Sequence, residues 1–270
     1  MKDTIRVALI QPKPYPEFDD PRHIAHAMRL LEACRGEELD VICFPEYFPY
    51  VGEEELARAA RDLGSYIIAG LLEVDGNRAY NTATLFDRQG RLLGRQRKTN
   101  LGALERDHLG MSPGDGSFRA FATDFGKIGL PVCIDFWGQP EAARQLTDQG
   151  AEIIFNISIF PILRGHWITG ALTRAFDNFL AVVGVNTADY NAKIAGRRYH
   201  QHGGGSFVIQ PPKLLDKGEF NRWFRSLDSI QDWVSFQLDD LEQVHIAEVY
   251  LAGVRRYRRD FWKRFGFQRQ

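Results

Sequence analysis

Apolar and polar positions change period repeatedly along this chain, and the changes delimit its elements. Thr4 to Gln11 alternates with period two, as a strand does. Asp20-Pro21 then starts a helix, with a capping acceptor ahead of a proline whose fixed φ suits the first turn. Ile24, Ala27, Met28 and Leu31 recur on one face of it. Asp40 to Pro45 is a short apolar run of the kind found in a sheet covered on both faces. A helix from about Glu53 to Leu63 closes on Gly64, and Ser65 to Leu72 and Ala79 to Phe86 read as strands. Asp87-Arg88-Gln89-Gly90 turns the last of these back into Arg91 to Gly94.

The second half is built in the same style. Phe118 to Ala122 and Lys127 to Cys133 form a hairpin around Asp124-Phe125-Gly126, and Pro140 to Gln149 is a short helix. Ala151 to Phe160 is a strand, His166 to Leu180 a long helix, and Ala181 to Val185 and Ser206 to Ile209 are further strands. Leu172, Ala175, Phe176 and Phe179 share one face of the long helix. The alternation of strand and helix predicts the α/β class. No linker divides the chain, so residues 1–270 are expected to form one domain. Residues 211 to 236 fit no pattern, and 211–270 is expected to be a C-terminal extension or subunit interface.

Three apolar runs end in reactive side chains. Val41 to Pro45 stops at Glu46, Gly90 to Gly94 leads through Arg95-Gln96-Arg97 to Lys98, and Lys127 to Val132 delivers Cys133. In layered α/β folds ligands are met where strands run out. A thiol attacks when a base removes its proton or a cation stabilises the thiolate. Glu46 suits the base, and Lys98 with the backbone N–H after Cys133 suits a developing oxyanion. On these residues alone, a packed thiol, a surface lysine and a loop-capping glutamate explain the three equally well. The aperiodic stretch from Lys98 to Gly116 exceeds the usual loop length, which points to function.

Charge and composition exclude more than they select. A formal charge of −1 over 270 residues gives no broad pull toward nucleic acid or an anionic membrane surface. Arg255-Arg256 and Arg258-Arg259 lie among aromatics and are expected on a solvated helix face or an interface. No apolar run approaches the ~20 residues of a membrane span. The start of the chain reads as a strand and not as an export signal, so the expected location is cytoplasmic. Three widely spaced cysteines make no disulfide framework, and Cys34 and Cys43 read as packing. His200-Gln201-His202 alternates like two ligands on a strand face, but no cysteine or carboxylate cluster accompanies it in sequence. A loop beside the pocket is expected there, and neither metal nor cofactor.

Several motifs converge on one family. Cys43-Phe44-Pro45-Glu46, Arg97-Lys98-Thr99-Asn100-Leu101 and Gly129-Leu130-Pro131-Val132-Cys133-Ile134-Asp135 resemble the three signatures of the nitrilase superfamily, the carbon–nitrogen hydrolases. Tyr80-Asn81-Thr82-Ala83, Pro113-Gly114-Asp115, Pro140-Glu141, His166-Trp167 and Arg174 to Asn178 are similar to further family motifs in the family's order. The resemblance spans residues 4 to 210. It implies a four-layer αββα sandwich and a triad of Glu46, Lys98 and Cys133, with Glu105 as a second glutamate that positions the lysine or the substrate. It departs from the pattern in the seven residues from Cys133 to Pro140 and in Pro211-Pro212-Lys213.

The resemblance also bears on substrate. Nitrile hydrolases of the superfamily usually carry Trp-Glu after the cysteine, whereas Ile134-Asp135 is similar to the amidase and carbamoylase branches. Carbamoyl-amino-acid hydrolases often place two arginines where Phe136 and Trp137 stand, so a neutral, apolar substrate is expected. Ile134, Phe136, Trp137 and Ser158 are the candidate substrate contacts. The expected partner is a small amide or carbamoyl compound, and the expected assembly a homodimer or higher homo-oligomer. Nitrile hydrolysis, acyl transfer to an amine and ligand binding without catalysis use the same residues and remain alternatives.

Overall fold

The side chains of β1 (Thr4–Gln11) fall alternately into two apolar clusters. Ile5, Val7 and Leu9 join one and Ala8 and Ile10 the other, so both faces of the strand are covered. β2 (Val41–Cys43) divides in the same way, with Cys43 on one side and Ile42 on the other. The computed structural model describes residues 2–159, 164–194, 196–212 and 231–264.

The remaining strands of the first half are β3 (Pro49–Tyr50), β4 (Tyr66–Asp75), β5 (Arg78–Phe86) and β6 (Leu92–Arg97). Then come β7 (Ala120–Ala122), β8 (Lys127–Gly129), β9 (Ile153–Ile157), β10 (Ala181–Val185) and a hairpin of β11 (Tyr190–Ile194) and β12 (Arg197–Gln201). β13 (Phe207–Ile209), β14 (Val234–Gln237) and β15 (Gln243–Tyr250) complete the set. Among the described residues the helices are α1 (Arg22–Leu31), α2 (Glu53–Leu63), α3 (Ala103–Asp107), α4 (Ile134–Trp137), α5 (Pro140–Asp148), α6 (Arg164–Asn178) and α7 (Leu251–Arg264).

Among the described residues, one sheet runs β15-β1-β2-β4-β5-β6 with β3 attached to β4, and a second runs β14-β13-β10-β9-β8-β7. Ala27, Leu30 and Leu31 of α1 and Leu56 and Ala60 of α2 cover the outer face of the first sheet. Ala142, Ala143 and Leu146 of α5 and Ala171 and Ala175 of α6 pack on the second. The sheets meet through the shared cluster that holds Val7, Ile68 and Leu85 from one and Ile154 and Val183 from the other. This is an αββα sandwich. β1, β2 and β4 are parallel, as are β8, β9 and β10, so several strand ends open at one edge.

The structure departs from the sequence expectation at several elements. The strand expected to reach Cys133 stops at Gly129, and the chain crosses Leu130 to Val132 without ladder bonds before turning into α4. The expected loop between Lys98 and Gly116 contains α3, a helix too short to show a period. The expected C-terminal extension instead supplies a strand to each sheet. β15 runs antiparallel along all of β1, sending Val244 and Ile246 to one core and Ala247 and Val249 to the other. The late arginines divide: Arg256 and Arg259 are exposed as expected, whereas Arg255 grips Glu152 through Nε at 2.6 Å and Nη2 at 2.9 Å, and Arg258 donates to the Phe179 and Ala151 carbonyls. Phe160, Trp223 and Phe224 lie outside the described residues. No helix among the described residues is long and apolar enough to cross a membrane.

Candidate active site

Glu46 follows β2 on a sharply bent segment that passes directly over β4. Gly70 makes that passage possible, because a Cβ there would lie 2.5 Å from Pro45 O and Tyr47 N and 2.7 Å from Glu46 Cα. Lys98 continues the β6 ladder, its N–H bonded to Asn81 O at 2.8 Å. Glu105 occupies the first turn of α3. These three side chains meet in the interior. Lys98 Nζ donates to Glu46 Oε1 and to Glu105 Oε2, each at 2.8 Å. Asn81 Nδ2 spans the same two carboxylates, to Glu46 Oε1 at 2.7 Å and Glu105 Oε1 at 2.8 Å. Tyr47 Oη at 2.8 Å and Gly102 N at 2.9 Å complete the bonding of Glu105.

Cys133 arrives from the second sheet. It has φ +51° and ψ −121°, a conformation that costs a residue with a side chain on the order of 1–3 kcal/mol. The surroundings hold it there. Its N–H bonds Ile157 O at 2.8 Å, and Asn156 Nδ2 donates to Pro131 O at 2.8 Å and Cys133 O at 3.1 Å. Asn156 Oδ1 in turn accepts from Trp167 Nε1 of α6 at 2.8 Å. Asp135 fastens this turn to the lysine segment: Oδ2 accepts from Thr99 N, and Oδ1 from Asn100 N and Nδ2, all at 2.8 Å. In the other direction, Glu46 Oε2 accepts from Ile159 N at 2.8 Å, just past β9.

Burial and mutual charge push the groups apart in proton affinity. Burial raises the pKa of Glu46, with Lys98 opposing and Glu105 adding to it, and the result lies above the ordinary glutamate value. Burial also lifts Glu105, but Lys98, Asn81 and the Gly102 N–H outweigh it and leave that carboxyl below the ordinary value. Burial would lower Lys98, yet Glu46, Cys133 and Glu105 raise it well above a free lysine. The Cys133 thiol is pushed far up by burial and by Glu46, against Lys98 and the Ile134 N–H that points at its sulfur. Carboxyls driven in opposite directions take different jobs. Lys98, Asn81 and the Gly102 N–H favour the charged form of Glu105, while burial and the Glu105 charge favour the neutral form of Glu46. Burial raises the other two thiols as well: Cys43, wholly buried, lies well above an ordinary thiol, and Cys34 is pushed up to about 11.

The structure thus brings Glu46, Lys98, Glu105 and Cys133 together, and treats the four expected contact residues unequally. Ile134 is half-buried, with its N–H directed to the Cys133 sulfur. Trp137 is half-buried against α6, where Gly170 admits it: a Cβ at 170 would sit 2.5 Å from Trp137 O. Phe136 is 0% exposed within the apolar core and supports α4 from beneath. Ser158 is also buried, its hydroxyl 3.3 Å from Asn156 Oδ1. Asn81, Tyr47 and Asn156 carry no reactive group, so nothing in their type marked them. Tyr190 was missed as well. Its buried hydroxyl has no hydrogen-bond partner among the described residues, and burial together with the Glu46 charge raises its pKa.

Comparison with known proteins places the chain in a family. Residues 6–212 match the family described as carbon-nitrogen hydrolase. The chain belongs to the carbon–nitrogen hydrolase family. Among curated relatives, this carbon–nitrogen hydrolase is 31% identical over 160 residues to an N-carbamoylputrescine amidase of Solanum tuberosum, covering 51% of this chain and 53% of that one. It is 31% identical over 171 residues to an omega-amidase of Xenopus tropicalis, covering 58% and 61%. The chain spans between about half and two thirds of the length of such relatives. Its fold is similar to that of a carbon-nitrogen hydrolase from Helicobacter pylori G27, with TM-score 0.79 and 23% identity over 99% of this chain and 96% of that one. An amidase from Nesterenkonia sp. gives TM-score 0.72 at 18% identity, covering 98% of each.

Proposed function

We propose that this chain hydrolyses the C–N bond of a small amide or carbamoyl compound through a thioester on Cys133. One observation carries the reading: a lysine ammonium shared by two buried carboxylates stands beside a thiol held on a strained turn. Lys98 has three N–H bonds, of which Glu46 and Glu105 take two, leaving a donor for the substrate oxygen. Glu46 Oε1 already accepts two hydrogen bonds, while Oε2 accepts one and retains capacity for a proton.

In the reading proposed, Glu46 takes the thiol proton as Cys133 Sγ bonds to the carbonyl carbon. The oxyanion is held by Lys98 and by the Ile134 N–H. Collapse breaks the C–N bond, and the leaving amine departs with the proton from Glu46. Water then gives a proton to Glu46 as its oxygen attacks the thioester, and loss of the Cys133 sulfur releases the acid and restores the thiol. The thiol's raised pKa fits a mechanism in which proton removal accompanies attack, since a standing thiolate is disfavoured. Similarity to enzymes named as amidases supports an amide or carbamoyl substrate. With Phe136 sealed in the core, Trp137, Ile134 and Tyr190 remain to contact it.

The test is a panel of small amides and carbamoyl amines, followed by ammonia or amine release, with mass spectrometry of quenched enzyme. The expected result is turnover that disappears in Cys133→Ala, with an acyl or carbamoyl mass on Cys133. Turnover that survives Cys133→Ala overturns the assignment.

A further inference from the structure

We propose that Asp189, His200 and His202 form a binding site for a divalent transition-metal ion of the zinc type on the outer side of the β11–β12 hairpin. The two histidines stand one residue apart, and the carboxylate that the sequence alone did not bring near them is supplied by strand pairing. Tyr190 pairs with Gln201 and Asn191 with His200 in this antiparallel ladder. The register therefore carries on to set Asp189 across from His202. All three side chains fall on one face of the hairpin, the face opposite Tyr190 and Gln201, which are buried. One ligand atom from each of Asp189, His200 and His202 lies within 4.8 Å of the other two.

The local chemistry favours an ion over bare side chains. His200 Nε2 is 3.3 Å from Asp189 Oδ1. That matches the edge of a tetrahedron, roughly 3.3–3.4 Å, built on metal bonds of about 2.0–2.1 Å. The other ring nitrogen, Nδ1, is 3.2 Å from Asn191 Oδ1. A neutral ring that donates from Nδ1 to that oxygen turns the Nε2 lone pair toward a carboxylate, and a metal cation between them satisfies both, as a second ring proton would. Asn191 thereby fills the orienting role that a ligating histidine's second nitrogen usually requires. His200 and His202 are exposed and stacked edge to face with ring centres 4.2 Å apart, so His202 closes the set by a small side-chain swing. Two imidazoles, one carboxylate and an open fourth position suit zinc and its neighbours better than calcium or magnesium, which favour all-oxygen sites.

The site would also act at a distance. The inner side of the same hairpin, Tyr190, Ala192 and Ile194, packs on Leu104 and Leu109 around α3 and on Ile159. An ion on the outer side would tie together the two strands that back the Glu105 and Glu46 segments.

Tag-free full-length protein, stripped with a chelator, is titrated with Zn²⁺ against a colorimetric chelator and melted with and without the ion. One Zn²⁺ per chain is expected, with the same stoichiometry in Cys133→Ser, which removes the competing thiol. His200→Ala and Asp189→Ala should each weaken binding by more than about 100-fold, and Asn191→Ala by about 10- to 100-fold, the usual effect of losing an orienting partner. The Zn²⁺-induced rise in Tm should vanish in His200→Ala. Failure of the wild-type chain to bind at micromolar Zn²⁺ overturns the proposal and leaves a histidine–carboxylate ion pair only. Undiminished binding in the histidine variants also overturns it.

Discussion

Replacing Glu105 by Gln removes one of the two negative charges that share the Lys98 ammonium while keeping the side chain's length. Both carboxylates accept from Lys98 Nζ at 2.8 Å. Two oxygens held at that distance at a tetrahedral angle stand about 4.5 Å apart, and at an effective dielectric of about 20 their repulsion is about 4 kcal/mol. Loss of that repulsion lowers the pKa of Glu46 when the neighbour becomes neutral. The sign is fixed: burial and the Glu105 charge both favour protonated Glu46, and the variant removes the second while leaving Lys98 paired to Glu46 alone. A general base must be ionised to work. The acid limb of kcat/KM, which reports the free enzyme, should therefore move to lower pH. The plateau should fall on the order of 10²-fold as Lys98 loses its second anchor. The assay is amine release across roughly pH 4 to 9, with circular dichroism to confirm that the variant is folded. An acid limb that stays at the wild-type position, whatever the plateau does, refutes the electrostatic coupling on which the two glutamate roles rest.

Three other substitutions probe the framework. Asp135→Asn turns an amide toward one of the N–H groups of Thr99 and Asn100, so thermal stability should fall by about 1.5–3 kcal/mol and turnover with it, checked by denaturant unfolding and initial rates. Gly70→Ala places a methyl 2.5 Å from Pro45 O and Tyr47 N, and overpacking of that kind costs about 1–3 kcal/mol. Its diagnostic feature is a loss of kcat larger than the stability loss, because Glu46 moves. Tyr190→Phe removes a buried hydroxyl without a partner among the described residues, so the unfolding midpoint should hold or rise. If that hydroxyl serves the substrate, kcat/KM falls by about 2- to 10-fold, the worth of one hydrogen bond. Unchanged kcat/KM on every substrate removes Tyr190 from the pocket.

The parts of the site that were legible in the sequence are those whose chemistry is written in the residue type. Glu46, Lys98 and Cys133 stand just beyond apolar runs, and family motifs added Glu105. Their supports were legible only in part: Asn81 stood in a family-like motif with no role attached to it, and Asn156 in none. Asn81 bridges two carboxylates from the middle of β5, where it occupies an ordinary inward position among Tyr80, Thr82 and Ala83. Asn156 likewise sits inside β9, in a run otherwise made of Ile and Phe. In such a run a buried asparagine is the anomaly that could have flagged it, since a lone polar group there must be bonded. Strand lengths failed for a related reason. Lys127 to Val132 is apolar to its end, but Pro131 cannot donate to a ladder and Cys133 must adopt positive φ, so β8 closes at Gly129. Asp189 and His200 meet only through the register of a hairpin that no alternation announced: β12 begins Arg197-Arg198-Tyr199-His200, with both faces polar or exposed.

The bonds between Asp135 and the Thr99–Asn100 segment, and between Glu46 and Ile159, run from one sheet to the other. Glu46 is thus also a rivet of the sandwich, and the site spans both sheets, with Glu46 and Lys98 carried by one and Cys133 by the other. A change in the spacing of the two sheets would shear the carboxylate away from the thiol before it broke either ladder. Trimming Val7 or Ile154, both in the cluster between the layers, is accordingly expected to lower turnover while both ladders stay intact.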